Sequence, residues 1–126
     1  MERNLNEGYR GLAAWQKSMA LVTEVYRATR SFPQDELYGL TSQLRCAAVS
    51  VPSNIAEGYG RNSRNEFRHF VGQVRGSQAE VETQIEIAQN LGYLQAKIAC
   101  DLLAAAEEVG RILTGLRAWS EKSGNE

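Results

Sequence analysis

The sequence predicts an all-α protein, an antiparallel up-down four-helix bundle, on the basis of three observations. Apolar residues recur every three or four positions in four long segments, which is the period of an amphipathic helix. Short breaks that contain proline, glycine or asparagine separate these segments, and no alternating run of Val, Ile or Thr indicates a strand. Four amphipathic helices joined by short loops bury their apolar faces most simply as antiparallel neighbours.

Length and composition are typical of one soluble domain. The chain has 126 residues, 43% of them hydrophobic and 23% charged, which is enough apolar surface for a core. We expect the bundle over residues 9–120, with flexible tails at residues 1–8 and 121–126. The formal net charge is −1, so any attraction to nucleic acid has to come from a local patch. Without a signal-peptide core or an apolar run of about 20 residues, we expect a cytoplasmic location and no membrane contact.

The first helix is predicted over residues 9–31 and carries two apolar stripes. The main stripe consists of Leu12, Trp15, Met19, Val22 and Tyr26. The second, offset stripe consists of Leu21, Val25 and Phe32. Two stripes are typical of a helix with two partners, so we expect one partner in the bundle and a second in another subunit.

The second helix begins after the break at Pro33, between Gln34 and Thr41. Its apolar stripe consists of Leu40, Leu44, Ala48, Val51 and Ile55. Pro52 is expected outside this stripe, where a bend can turn the Ala48 carbonyl toward water or a side chain. Gly58 and Gly60 are expected to end the helix.

The third helix is expected to begin at a capping box, with Ser63 as the N-cap and Glu66 three residues later. Its predicted core residues are Phe67, Phe70, Val71, Val74, Val81, Ile85 and Ala88. Asn90 and Gly92 are expected to form its C-terminal cap. A fourth helix over residues 95–120 is expected to bury Ile98, Leu102, Ala105, Val109, Ile112, Leu116 and Trp119.

No catalytic, metal-binding or cofactor-binding constellation is apparent. His69 is the single histidine, so no histidine pair or triad can form within one chain. Cys46 and Cys100 are far apart and stand beside alanines, and we expect buried free thiols, with a redox role as the alternative.

Four polar residues form a stripe along the second helix. These residues are Gln43, Ser50, Asn54 and Glu57. Their spacing indicates a hydrogen-bonded network that holds helices or subunits in register, with a partner-binding surface as an alternative. A third interpretation makes Glu57 a general acid or base and Asn54 an oxyanion donor, but one carboxylate and one amide are too few for catalysis.

Charge on the third helix is split along its length. The basic half contains Arg64, Arg68 and Arg75, and the acidic half contains Glu82 and Glu86. This order opposes the helix dipole, so another interaction can favour it. The open interpretations are a solvated face, a contact between the basic half of one subunit and the acidic half of the next, and nucleic-acid binding by these arginines with Arg61 and Tyr59.

Small residues on the third helix, Gly72, Gly76 and Ala79, predict close approach of another helix. Each glycine lowers helix propensity by about 1 kcal/mol relative to alanine, and close packing would offset that loss. The sequence leaves open whether the neighbouring helix belongs to the same chain.

The segments "FPQDELYGLTSQLRCAAVSVPSNIAEGYGRNSRNEF", "RGSQAEVETQ" and "LGYL" resemble the bacterial 23S rRNA-intervening-sequence proteins, over roughly residues 9–119. The resemblance implies a cytoplasmic four-helix bundle, commonly a homopentamer, without known enzymatic activity. It also implies a relation to accessory proteins of diversity-generating retroelements, which bind a reverse transcriptase and nucleic acid, although this chain is mildly acidic where that type is basic. The family pattern falls on Pro33, Gln43, Ser50, Pro52, Asn54, Glu57, Gly58, Gly76, Ser77 and Glu80.

From these observations we predict a homo-oligomeric helical scaffold or adaptor that is not an enzyme and needs no cofactor. Its partners are expected to be further copies of itself, in a pentamer, and an additional protein. The alternative is an accessory protein that binds RNA or DNA through the arginine patch.

Overall fold

The computed structural model describes residues 5–61 and 63–124 of the chain, with side-chain surroundings over residues 8–61 and 63–116. Four long helices occur, which are α1 (Ala13–Thr29), α2 (Leu40–Tyr59), α3 (Arg64–Asn90) and α4 (Ala96–Gly124). Short 3-10 segments precede α1 at Leu5–Gly11 and α2 at Gln34–Glu36. These residues contain no strand, and the predicted all-helical, four-helix fold class is confirmed.

The helices close into a bundle because each packs against the next in the chain and α1 also packs against α4. The up-down direction of successive helices and the bend at Pro52 stay predictions. Pro52 itself is buried inside α2, so the expectation that it lies outside the packed face is wrong. The reason is tertiary, since α1 and α3 pack on α2 from two sides and widen its buried surface.

Two apolar clusters form the core. The larger contains residues of all four helices, with Leu21, Leu44, Ile85 and Leu102 among them. The smaller surrounds Val51, Val74 and Leu113. The predicted stripe of α2 is confirmed except at Leu40, which is only partly buried.

The main stripe predicted for α1 is not its core face. The buried residues of α1 are Ala14, Ser18, Leu21, Val25 and Thr29. Two of them are polar, but their hydroxyls donate to carbonyls one turn earlier, from Ser18 to Trp15 at 2.9 Å and from Thr29 to Val25 at 2.8 Å. Satisfied hydroxyls can be buried at little cost, so Ser18 and Thr29 share the core face with Leu21 and Val25 of the predicted second stripe.

The core face of α4 is also rotated from the prediction. Ala99, Leu102, Ala106, Val109 and Leu113 are buried, whereas Ile98 is 41% exposed. The side chain of Trp119 lies outside the described residues. The helical backbone extends to Gly124, beyond the predicted end at residue 120. Residues 5–7 of the predicted N-terminal tail have 3-10 geometry, which Gly8 interrupts with a φ of +66°.

Helix ends that depend on local sequence agree with the predictions. The Ser63 side chain accepts a hydrogen bond from the Glu66 N–H at 3.1 Å, as a capping box requires. Gly92 has φ +81°, the Tyr93 N–H donates to the Ala88 carbonyl at 2.9 Å, and the Gly92 N–H donates to the Gln89 carbonyl at 3.0 Å. These two bonds define a Schellman motif at the end of α3.

Candidate interaction surfaces

The polar stripe of α2 forms its hydrogen bonds along its own helix. Ser50 Oγ donates to the Ala47 carbonyl at 2.7 Å, and Asn54 Nδ2 donates to the Ser50 carbonyl at 2.8 Å. Such i to i−3 and i−4 bonds are the local option for short polar side chains on a helix. Register between α2 and its neighbours in the same chain therefore does not depend on these two bonds. A role at a contact between subunits stays a prediction.

The remaining members of the stripe, Gln43 and Glu57, are exposed. Glu57 accepts a hydrogen bond from Arg61 Nη2 at 2.9 Å, four residues on. The Arg61 guanidinium also lies over the Phe70 ring, 5.1 Å from its centroid. The charge of Arg61 is thus compensated by Glu57 of α2.

The other patch arginines lie along α3. Arg68 donates to Asn65 Oδ1 at 2.9 Å, and Arg64 and Arg75 are exposed. Tyr59, the aromatic residue predicted to assist them, is half exposed at the end of α2. The patch is therefore a basic face of three arginines on α3.

The acidic half of α3 faces α4 across a groove. The groove lining includes Arg75, Glu82, Glu107 and Arg111, so acidic and basic residues alternate along it. Burial raises the pKa of Glu82, and the negative charges of Glu107 and Glu86 raise it further. A hydrogen bond from Gln78 Nε2 at 2.7 Å acts in the opposite direction and lowers this pKa. The sequence interpretation missed the α4 residues, since only the helix register shows which of them face α3.

The small residues of α3 have no neighbour within the described chain. A Cβ built on Gly72 or Gly76 meets nothing within 4 Å, and Ala79 is exposed. The closely approaching helix that these residues predict therefore lies outside this chain, if it exists. Gly110 of α4 differs, since a Cβ there would lie 3.0 Å from Gln78 Nε2.

An apolar surface remains uncovered on α1 and α2. We define the α1–α2 face as Met19, Tyr26 and Val49, whose exposures are 42%, 40% and 39%. Arg45 lies beside it, with its guanidinium 4.6 Å from the centroid of the Tyr26 ring and its Nε donating to Thr29 Oγ1 at 2.8 Å. Met19 and Tyr26 belong to the first apolar stripe of α1, whereas Leu12, Trp15 and Val22 of the same stripe are partly buried against the core.

Both cysteines are exposed, so the prediction of buried thiols is wrong. Neighbouring alanines suggested burial, but helical geometry turns adjacent residues by about 100°. Ala47 and Ala99 face the core, while Cys46 and Cys100 beside them do not.

A polar link between distant segments was not predicted. The Glu36 carboxylate accepts from the Leu40 N–H at 3.2 Å through Oε1 and from the Tyr93 hydroxyl at 3.0 Å through Oε2. The hydrogen bond to this carboxylate raises the pKa of Tyr93. No local sequence signal could have revealed the hydrogen bond between Tyr93 and Glu36, because the two residues are 57 positions apart.

The described residues contain neither a metal-binding group nor a membrane-spanning helix. No group of three or more His, Cys, Asp and Glu residues there could hold a metal ion. His69 is exposed, with its Nε2 3.3 Å from Gln73 Nε2. None of the described helices is both long enough and apolar enough to span a bilayer.

Comparison with known families identifies the chain. The model of the 23S rRNA-intervening sequence protein family matches residues 10–115. The chain belongs to this family. The family resemblance drawn from the sequence is thereby confirmed, while its link to retroelement accessory proteins stays an expectation.

Solved structures support the same fold for this 23S rRNA-intervening sequence protein. A Bacteroides thetaiotaomicron protein of unknown function from the S23 ribosomal protein family is similar, with a TM-score of 0.78 and 15% identity. The match covers 83% of this chain and 98% of that one, and at this identity it supports the fold alone. No curated protein matches the sequence.

Proposed function

We propose that this protein is a non-enzymatic scaffold or adaptor that assembles from identical subunits into a ring, a pentamer, in the cytoplasm. The observation that carries the proposal is the α1–α2 face, where Met19, Tyr26 and Val49 are each about 40% exposed on adjacent helices. A cluster of large apolar side chains left in water is typical of an interaction surface. Burial of such surface contributes about 25 cal/mol per Å² to association.

The charge and shape of α3 support a contact between unlike surfaces. Its basic half and the acidic residues of the α3–α4 groove are complementary, and Gly72 and Gly76 would let a second helix approach closely. A head-to-tail contact between unlike surfaces closes into a ring when its rotation permits. The pentameric number itself comes from the family resemblance.

Light scattering coupled to size-exclusion chromatography tests the assembly. We expect the mass of five chains for the natural protein and a smaller mass for Met19→Glu, since a carboxylate on the α1–α2 face would have to be desolvated. Ala20→Glu is the matched control, because it places the same charge at an exposed position of α1 outside that face. A monomeric natural protein, or equal effects of the two variants, would contradict the proposal.

A second candidate function is the binding of RNA or DNA by the basic face of α3. The observation that favours it is the alignment of Arg64, Arg68 and Arg75 on one helix, with no carboxylate bonded to Arg68. Each phosphate contact made by an arginine adds a salt-sensitive contribution to affinity. We expect RNA retention to weaken with salt and with Arg64→Glu and Arg68→Glu. Lys97→Glu, at an exposed lysine of α4 that pairs with Asp101, is the control, and equal retention by all variants would refute this candidate.

Two observations support the absence of enzymatic activity and the cytoplasmic location. Glu57, the carboxylate considered as a catalytic acid or base, forms an exposed ion pair with Arg61. Cys46 and Cys100 are exposed and free, as is common for proteins kept in a reducing compartment. An enzyme would lose turnover in Glu57→Gln without a change in melting temperature.

A further inference from the structure

A small pocket lies where α1 ends and α2 begins, next to the α1–α2 face. Its volume is about 320 Å³, within the range of pockets that hold small molecules. Apolar walls come from Phe32, Pro33 and Leu37 of the connecting segment. Polar groups come from α1 and α2, and they are Thr29, Arg30, Gln34, Thr41 and Arg45.

The charges of this pocket are all positive. Arg30 and Arg45 line it, and no carboxylate does. The acidic residues of the connecting segment are Asp35 and Glu36, and the Glu36 carboxylate is engaged by Leu40 and Tyr93. Among the described residues, neither arginine has an ion-pair partner.

Two contacts hold the Arg45 side chain in place and leave its terminal amino groups available to a ligand. Its Nε donates to Thr29 Oγ1 at 2.8 Å, and its flat face lies on the Tyr26 ring. The two terminal amino groups donate no hydrogen bond to another described residue. A guanidinium that is fixed in place, with both terminal amino groups available, is suited to bind two oxygens of a carboxylate or phosphate. The arginine side chain then loses little conformational entropy on binding.

Thr41 supplies a second group in the pocket wall whose hydrogen-bonding capacity is unused. The residue is 4% exposed, and its hydroxyl has no hydrogen-bond partner among the described residues. A buried hydroxyl without a partner is unfavourable, because it has lost its hydrogen bonds to water. Threonine on a helix can occupy two rotamers, so the hydroxyl can turn to a ligand oxygen. Thr41 also lies in the first turn of α2, the positive end of that helix.

We propose that this pocket binds a carboxylate attached to an apolar body, with Arg45 gripping the two oxygens, Arg30 adding charge and Phe32, Pro33 and Leu37 enclosing the apolar part. The apolar walls distinguish such a ligand from inorganic phosphate, which is hydrated on every side. A free aromatic acid and the C-terminal carboxylate of a peptide ending in phenylalanine share this chemistry. The pocket shares no lining residue with the α1–α2 face, although Arg45 lies over the ring of Tyr26 in that face, and the binding of the ligand does not require assembly.

Amide chemical shifts recorded during titration test the proposal. The probes are benzoate, a short peptide ending in phenylalanine as its free acid, the same peptide as its amide, and inorganic phosphate. We expect saturable shifts at residues 29–45 with one or both acids, at roughly millimolar affinity, and none with the amide. The acid that binds identifies whether the ligand is a free molecule or a chain end.

Variants connect the shifts to the pocket. Arg45→Gln is expected to weaken binding by about 10-fold or more, because it removes a charged hydrogen-bonding pair. Arg30→Gln, at an exposed position that tolerates substitution, is expected to weaken it less. Arg27→Gln is the control, since Arg27 pairs with Glu24 and does not line the pocket. Absence of saturation by both acids, equal binding by all variants, or binding of phosphate alone would overturn the proposal.

Discussion

Gly58 lies directly against Phe70, and a methyl group at Gly58 would come within 2.6 Å of the Phe70 Cβ. Gly58 is buried inside the last turn of α2, and Gly60 beyond it has an ordinary helical φ of −76°. The helix ends at Tyr59 with Gly60 as its C-cap, and neither glycine has a positive φ. Gly58 instead allows α2 and α3 to approach closely at their connection.

Gly58→Ala is expected to destabilise the protein by up to about 2 kcal/mol. Overpacking costs about 1–3 kcal/mol, and the better helix propensity of alanine returns about 1 kcal/mol. Chemical denaturation measures the change in the free energy of unfolding. In a Phe70→Gly background the same substitution should be neutral or stabilising, since the Phe70 Cβ that it would meet and the ring behind it are both absent. A similar loss in both backgrounds would show that Phe70 is not the cause.

Gly76→Ala is expected to separate folding from assembly. A Cβ at this position meets nothing within 4 Å, so the substitution should stabilise the isolated chain by up to about 1 kcal/mol. If α3 meets a second subunit there, the same methyl group should weaken the oligomer. Thermal melting and native mass spectrometry of one sample give both readouts. Unchanged assembly would place the subunit contact elsewhere.

Glu82→Gln is expected to raise stability at neutral pH. Burial holds the pKa of Glu82 above its ordinary value of 4.5 in the folded chain. The folded state therefore binds this proton more tightly than the unfolded state, so the stabilisation exists below pH 4.5 and is lost as the pH rises through the folded pKa. Glutamine mimics the protonated form and can still accept from Gln78, while the surrounding Glu86, Glu107, Arg75 and Arg111 keep their charges.

The pH dependence distinguishes this effect from a general one. The gain of Glu82→Gln over the natural protein should shrink as the pH is lowered below about 4.5, as shown by denaturation curves at several pH values. Glu80→Gln, at an exposed position of the same helix, serves as the control and should change stability little. A gain that is independent of pH would mean that the charge of Glu82 is not responsible.

Gly92→Ala is expected to lower stability by about 1–2 kcal/mol. Its φ of +81° is a left-handed conformation that costs about this much for a residue with a Cβ. Gly115→Ala provides the contrast, because Gly115 lies within α4 and a Cβ there meets nothing within 4 Å. That variant should be neutral or more stable. Equal melting temperatures for the two variants would argue against the Schellman motif.

Both thiols are expected to react in the folded protein. Cys46 and Cys100 are exposed, so a maleimide should label two sites per chain without denaturant. Mass spectrometry counts the labels, and single Cys→Ser variants assign them. Labelling should be measured in a dissociated form such as Met19→Glu, where no subunit contact can protect a thiol. Fewer than two labels in that form would contradict the exposed positions.

Features governed by neighbouring residues could be predicted from the sequence. The capping box at Ser63 and the Schellman motif at Gly92 depend on residues within one or two turns, so their signals are local. Helix number and the absence of strands follow from apolar period, which is also local. The family was predictable because its motifs are contiguous.

Which face of a helix is buried could not be determined in this way. The first helix has apolar residues around more than half of its circumference, and the core took the line of Leu21 and Val25, leaving Met19 and Tyr26 outward. Periodicity alone ranks the faces of a helix by their apolar content. Which face is buried depends instead on the helices that pack on either side of it. In the candidate polar stripe of α2, Gln43 and Glu57 are exposed, and the hydrogen bonds of Ser50 and Asn54 are local to the helix.

The sequence by itself determined four helices, their principal caps, the family and the charge split along α3. Tertiary structure alone decided the close fit of Gly58 to Phe70, the mixed-charge groove between α3 and α4, the outward α1–α2 face and the pocket around Arg45. The physical reason is the distance along the chain over which each kind of interaction acts. Hydrogen bonds and helix propensity act within a few residues, whereas packing and pocket electrostatics depend on the register between helices that are distant in the chain.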